Sequence, residues 1–117
     1  MDLHTILNAE HGQTVAQVVG TVDAMTAHRL HIDLTRGLTL AEEGLLVDLS
    51  RVGFMDSAGL RVLLAIRRNA RRNGKSLALV GPRPQIRKLL QSSGFYGYFD
   101  IRPMTPRPVH GNRPTGR

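Results

Sequence analysis

Residues 45–80 read LLVDLSRVGFMDSAGLRVLLAIRRNARRNGKSLALV, and their pattern indicates the class of fold most directly. Leu45–Leu49 is a short, nearly continuous apolar run, which is typical of a strand buried on both faces. Ser57–Asn73 carries leucines at helical spacing and is followed by Gly74, which favours a long helix that ends there. Ser76–Val80 is another apolar run of strand length. A strand, a helix and a strand in succession predict a parallel pair joined by a right-handed crossover.

The segment that precedes this unit predicts a hairpin and a helix. Leu3–Glu10 and Thr14–Val19 flank a short turn, and the second of them is rich in β-branched residues, so both are predicted as paired strands. Apolar residues then recur at helical spacing from Thr26 onward. Asp23 or Thr26 can cap the start of this helix, and Gly37 is expected to end it.

The segment that follows predicts a third helix and a last strand. Pro84 opens an apolar pattern of helical period, and Gly94 closes it. Tyr98–Arg102 is predicted as an edge strand. The element order is therefore ββαβαβαβ, which predicts one α/β domain over residues 1–102 with a mixed, largely parallel sheet of four to five strands. Pro103–Arg117 is rich in proline and arginine and is predicted to be a flexible basic tail.

Length and composition limit the class of protein. A chain of 117 residues is one small domain, and without cysteine it has neither a disulfide framework nor a thiolate metal site. Its apolar runs are far shorter than the ~20 residues that span a bilayer, and no signal peptide follows Met1. We therefore expect a soluble, cytoplasmic protein that does not enter the membrane.

Charge is distributed unevenly along the chain. Residues 1–56 carry three basic side chains against eight acidic ones, whereas residues 57–117 carry thirteen basic side chains against Asp100 alone. A basic half is typical of proteins that bind nucleic acid or an acidic partner. The arginines of the long helix that could form such a face are Arg61, Arg67, Arg68, Arg71 and Arg72. Because aromatic platforms and helix-turn-helix spacing are missing, direct binding of nucleic acid remains the less favoured alternative.

Motifs for catalysis or metal binding are weak in this sequence. Gly74-Lys75-Ser76 resembles the end of a phosphate-binding loop, but it follows a helix and precedes a strand, the reverse of that motif. His28 and His31 lie three residues apart without an acidic or cysteine neighbour, so a metal site is not expected. We expect a protein that is not an enzyme and that needs no cofactor.

The segment Phe54–Leu60 lies where a buried strand is expected to give way to the long helix. Open α/β folds place functional groups at this edge of the sheet. A hydroxyl at the first turn of a helix faces unpaired backbone N–H groups and the positive end of the helix dipole, so a phosphoryl group is tolerated there. The structural alternative is that Asp56 or Ser57 simply caps the helix.

Six blocks of the sequence, taken in order and spacing, carry a family resemblance; they are Val19–Asp23, Val47–Ser50, Phe54–Leu60, Gly74–Val80, Ile86–Leu90 and Ser93–Phe95. They resemble the bacterial anti-sigma factor antagonists, a branch of the sulphate-transporter-and-anti-sigma-antagonist (STAS) domains. The likeness covers about residues 3–102. A single STAS-like domain is therefore expected.

The resemblance implies a switch between protein partners. In that family the unphosphorylated antagonist binds an anti-sigma factor, which is also a serine kinase of the histidine-kinase-like ATPase fold, and so releases a sigma factor for transcription. The kinase phosphorylates the serine that follows an aspartate, and a phosphatase of the PPM class removes the phosphate. By this resemblance Ser57 is the phosphoacceptor, and Asp23 and Asp56 occupy the flanking acidic positions.

Ala58, Gly59 and Arg61 are expected to complete the partner-binding face with the two aspartates. Ala58 stands where the family often has a second serine or threonine, and Arg61 stands where a small residue is common. Arg61 lies one helical turn beyond Ser57, within reach of a phosphate or of an acidic group on a partner. The docking face is expected to consist of a loop after Leu45–Leu49 and the first turns of the following helix.

One alternative lies within the family. A scaffold or lipid-transport STAS subunit would share the fold without phosphorylation of Ser57. The family's usual C-terminal helix is also missing or replaced by the proline-rich residues 103–117, so any contact that this helix makes does not carry over.

Overall fold

The structure is a computed structural model that describes residues 2–104. Its strands and helices are β1 (Leu3–Glu10), β2 (Gln13–Val22), α1 (Ala27–Leu40), β3 (Gly44–Met55), α2 (Ser57–Arg72), β4 (Ser76–Val80), α3 (Pro84–Ser92) and β5 (Asp100–Arg102), with a short 3₁₀ turn at Tyr96–Tyr98. This order confirms the predicted ββαβαβαβ succession.

The five strands form one mixed sheet in the order β1-β2-β3-β4-β5. β1 pairs antiparallel with β2, and every other neighbouring pair is parallel. Ala16, Val47 and Leu79 lie in register across β2, β3 and β4, and all three are fully buried. They join one apolar cluster with residues of all three helices, such as Leu34, Leu63 and Ile86. The predicted single α/β domain is therefore confirmed.

A two-residue turn joins β1 to β2. Glu10 pairs with Gln13, and the residues between them, His11 and Gly12, have φ angles of 52° and 83°. Positive φ at both central residues is the hairpin turn whose twist matches that of the flanking strands. Glycine at the second position adopts this conformation without strain.

Predicted ends of α1, β2 and β5 are wrong. The last strand begins at Asp100 and not at Tyr98, because Tyr96–Tyr98 forms the 3₁₀ turn. Gly37 does not end α1, which continues to Leu40. A Cβ atom at Gly37 would lie 3.1 Å from Leu45 Cδ1 and 3.2 Å from Leu7 Cδ2, so glycine allows the helix to approach the sheet closely. β2 also runs beyond Val19, because β3 offers it a partner as far as Val22.

The loop expected after Leu49 is not a loop. β3 continues to Met55, and its last residues pair with β2, Thr21 with Phe54 and Val22 with Met55. The register shifts between Gly20 and Thr21, so the extension contains an irregularity. The predicted docking face therefore contains no loop at this point. A paired strand leads directly into the turn before α2.

The C-terminal prediction falls mostly outside the described residues. Pro103 and Met104 are exposed and belong to no helix or strand. The remainder of the predicted flexible tail, residues 105–117, lies outside the residues that the structure describes. The prediction that the C-terminal helix is missing or replaced falls on these residues as well. Within residues 2–104, no helix is both long and apolar enough to cross a bilayer.

Candidate functional site

The carboxyl ends of β2 and β3 bring the two predicted acidic residues to one edge of the sheet. Val22 and Met55 form the last residue pair of the two strands. Asp23 and Asp56 follow directly, and the Asp56 N–H donates to the Val22 carbonyl oxygen at 3.1 Å. The turn before α1 and the turn before α2 are therefore neighbours. We refer to this surface, formed by Asp23, Met25, Phe54, Asp56–Ala58 and Arg61, as the carboxyl-edge surface.

Asp56, and not Ser57, caps α2. Asp56 Oδ1 accepts a hydrogen bond from the Ala58 N–H at 2.9 Å, while the Asp56 carbonyl accepts from Gly59 and Leu60 at 3.1 and 3.2 Å. Ser57 is the first residue of the helix and is exposed. Within residues 2–104 its hydroxyl makes no recorded hydrogen bond, so the oxygen is free for chemistry or for a partner.

Asp23 organises the neighbouring turn. Its Oδ1 accepts hydrogen bonds from the backbone N–H groups of Met25 and Thr26 at 2.9 and 3.2 Å. Thr26 Oγ1 donates to the Thr21 carbonyl at 2.8 Å and accepts from the Asp23 N–H at 3.0 Å. Thr26 is the N-cap residue of α1, but its side chain makes no capping hydrogen bond. The Asp23 carboxylate instead accepts the hydrogen bonds of the backbone N–H groups in this turn.

Gly59 faces the interior of the fold. A Cβ atom at this position would lie 2.6 Å from both Met55 Cγ and Val22 Cγ1, which are themselves fully buried. The structure thus gives Gly59 a packing role that brings the start of α2 against β2 and β3. Contact of Gly59 with a partner stays a prediction, and so does contact of the half-buried Ala58.

Arg61 is exposed on α2, four residues after Ser57, and so lies on the same helix face. The ion pairs recorded within residues 2–104 join Arg29 to Asp33 and Arg102 to Asp100, and Arg61 is in neither. Its guanidinium therefore keeps its full hydrogen-bonding capacity for an anion near Ser57.

Two exposed apolar side chains on this surface are not marked by any pattern in the sequence. Met25 is 88% exposed in the turn before α1, and Phe54 is 45% exposed one residue before the end of β3. Nothing local marks Met25, because exposure in a turn depends on how the turn is placed. Phe54 is exposed because the irregularity in β3 breaks strict alternation, so that Val52 and Met55 are both buried. Both side chains are therefore accessible to a partner.

One basic residue of α2, Arg67, is engaged inside the molecule. The Arg67 guanidinium lies 4.0 Å from the centroid of the Tyr98 ring, a stacked cation–π contact inside the molecule. Arg68, Arg71 and Arg72 are exposed, and the last two lie in the final turn, where positive charge stabilises a helix. Among the described residues, no group of three or more His, Asp or Glu side chains is placed to hold a metal ion.

The cap assignment leads to a stability prediction. Asp56→Ala is expected to lower the free energy of unfolding by about 1 kcal/mol, because the Ala58 N–H loses its acceptor. Asp56→Asn keeps a side-chain oxygen there and is expected to cost much less. Ser57→Ala serves as the control with almost no loss, because the serine hydroxyl bonds to nothing in residues 2–104. Urea unfolding measures all three, and equal losses for Asp56→Ala and Ser57→Ala would contradict the assignment.

Residues 7–103 match the family described as "Mlab, STAS domain". The putative anti-sigma factor antagonist BtrV of Bordetella bronchiseptica is 30% identical over 90 residues, covering 77% of this chain and 78% of BtrV. An anti-sigma factor antagonist from Mycobacterium paratuberculosis aligns with a TM-score of 0.78 and 25% identity over 86% of each chain. The Bacillus protein SpoIIAA in its phosphorylated form aligns with a TM-score of 0.67 and 22% identity, over 87% of this chain and 92% of SpoIIAA.

The five-stranded mixed sheet with three helices is the fold of a STAS domain. The match over residues 7–103 and the identity to BtrV agree with this assignment. The chain belongs to the STAS-domain anti-sigma factor antagonist family, as the resemblance of the six sequence blocks implies.

Proposed function

We propose that this protein antagonises an anti-sigma factor through the carboxyl-edge surface and that phosphorylation of Ser57 switches this binding off. The partner is an anti-sigma factor that is also a serine kinase of the histidine-kinase-like ATPase fold. Binding of the unphosphorylated protein releases a sigma factor in the bacterial cytoplasm. A PPM-type phosphatase restores the binding form, and the chain itself catalyses nothing.

The free, exposed hydroxyl of Ser57 at the start of a capped helix carries this proposal. Since Asp56 already supplies the cap, modification of Ser57 breaks no hydrogen bond recorded within residues 2–104. A phosphoryl group of charge about −1.5 to −2 would meet the positive end of the α2 dipole. The fold therefore tolerates the phosphate, and the switch needs no change of fold.

The effect of the phosphate is expected at the interface with the partner. Met25 and Phe54 supply apolar contact area, and Asp23, Asp56 and Arg61 supply charges around it. In the bound state a new dianion would be desolvated near two carboxylates. Repulsion and desolvation together cost several kcal/mol, and each ~1.4 kcal/mol lowers affinity tenfold.

The named relatives support the proposal. BtrV is named a putative anti-sigma factor antagonist, and SpoIIAA has been solved both in an unphosphorylated and in a phosphorylated form. Those names describe those proteins. The exposed serine at the start of α2 gives this chain a group on which the same modification can occur.

The experiment is co-purification with the candidate serine kinases of the same genome, with and without ATP. We expect a stable complex without ATP, and with ATP a loss of binding together with a gain of one phosphoryl group in the intact mass. Peptide mapping should place that group on Ser57. A kinase that binds equally well under both conditions, with no change in mass, would refute the switch.

A second candidate function is a STAS subunit of a scaffold or lipid-transport assembly whose serine is not modified. The match of residues 7–103 to the family described as "Mlab, STAS domain" favours it. In that case the co-purification would yield a partner without kinase activity, and Ser57 would keep its unmodified mass in the presence of ATP.

A further inference from the structure

The end of β3 lacks a strand neighbour on one side. β4 pairs with residues Gly44 to Asp48 of β3, and β4 ends there at Val80. β3 continues to Met55, and β2 pairs with its other edge as far as Met55, with two register shifts on the way. Backbone groups that point away from β2 in this extension therefore need another partner.

The first turn of α3 supplies that partner. Gln85 Oε1 accepts a hydrogen bond from the Met55 N–H at 2.9 Å, and Gln85 Nε2 donates to the Met55 carbonyl at 2.8 Å. A few residues back, Arg83 Nε donates to the Ser50 carbonyl at 3.0 Å. The Gln85 amide thus offers one donor and one acceptor to a single residue, as a neighbouring strand would. We call this pair of hydrogen bonds the Gln85 clasp.

The clasp lies one residue before the turn that carries the phosphoacceptor. Met55 precedes Asp56, whose N–H bonds to Val22 and whose carboxylate caps α2. The turn is therefore held from the β2 side by Val22 and from the α3 side by Gln85. Gln85 is 28 residues from Ser57 in sequence, and the clasp bonds join it to Met55.

We infer that Gln85 is a positioning residue for the turn Asp56–Ala58, which it holds through Met55, and so sets how Ser57 is presented to the kinase. This inference rests on the proposed function of Ser57. Removal of the clasp leaves both backbone groups of Met55 unpaired at a half-buried site. The strand end then moves more freely, and the Asp56 cap on α2 moves with it.

The test compares Gln85→Met, which keeps the length of the side chain and removes both hydrogen bonds, with Gln91→Met. Gln91 lies exposed on the same helix, and its side chain makes no hydrogen bond recorded in residues 2–104, so it is a matched control. Amide hydrogen exchange is measured residue by residue. We expect about tenfold faster exchange at Met55 and at Ala58 in Gln85→Met, with unchanged exchange at the core residue Val47 and in the Gln91 variant.

The second readout is phosphorylation by whichever serine kinase modifies the parent chain. Gln85→Met should lower kcat about tenfold with little change in KM, because the hydroxyl is less well oriented in the complex. Gln85→Glu keeps the acceptor for the Met55 N–H, but its second carboxylate oxygen faces the Met55 carbonyl and repels it, so kcat should fall as it does in Gln85→Met. It replaces Gln85→Met should that variant unfold.

The outcomes separate this inference from the proposed function. Faster exchange at Met55 with unchanged exchange at Ala58 would overturn the positioning role. An unchanged kcat in a variant whose exchange is faster at both residues would also overturn it. A parent chain that accepts no phosphate from any kinase refutes the switch at Ser57, while exchange at Ala58 still decides whether Gln85 holds the turn.

Discussion

Ser57→Asp is expected to weaken binding to the kinase by about 100-fold or more, equivalent to about 2.8 kcal/mol. The carboxylate places a permanent negative charge beside Asp56 at the start of α2, on the surface that also carries Met25 and Phe54. Inside the molecule this charge meets the favourable end of the helix dipole. The loss should therefore appear in binding and not in folding, and calorimetric titration together with urea unfolding measures both.

Two variants control for the effects of substitution itself. Ser57→Ala should bind the kinase as tightly as the parent chain and accept no phosphate, because it removes only a hydroxyl that is free within residues 2–104. Ser92→Asp introduces the same charge on an exposed serine at the end of α3, away from the carboxyl-edge surface, and should leave binding unchanged. Equal binding by Ser57→Asp and the parent chain would remove the electrostatic basis of the switch.

Gly59→Ala is expected to lower the free energy of unfolding by about 1–2 kcal/mol. The new methyl group would lie 2.6 Å from atoms of Val22 and Met55, two fully buried side chains. Alanine stabilises a helix by about 1 kcal/mol relative to glycine. The expected loss in the free energy of unfolding is therefore the cost of overpacking minus this gain. Because the start of α2 must move outward, phosphorylation of Ser57 should slow as well.

Gly53→Ala is the matched control for Gly59. A Cβ atom at Gly53 has nothing within 4 Å, and the backbone there does not require a positive φ. We expect its unfolding free energy to stay within about 0.5 kcal/mol of the parent value, as for most surface substitutions. A Gly59 variant as stable as the Gly53 variant would show that α2 does not pack as tightly as the structure describes.

Most of the fold follows from local patterns in the sequence. The apolar runs Leu45–Leu49 and Ser76–Val80 predict strands that are buried on both faces. The structure confirms both strands, but Leu46 and Val80 are only partly buried, so the second face of the sheet is not fully covered. The end predicted at Gly37 is wrong because this glycine allows close contact with Leu45, and that contact exists only in the folded chain.

The site was predictable in part. The sequence singles out Asp56 and Ser57 but leaves open which of them caps the helix, since both residue types do so. The choice depends on where β3 ends, and that is set by its pairing with β2 as far as Val22. Met25 and Gln85 could not be assigned either, because exposure in a turn and a hydrogen bond across 30 residues are tertiary properties.

The affinity of one preparation for its kinase, measured before and after stoichiometric phosphorylation, tests the switch at Ser57 most directly. We predict tight binding before, a loss of about 100-fold after, and full recovery when a PPM-type phosphatase removes the phosphate. An affinity that stays the same while Ser57 carries the phosphate would contradict the account.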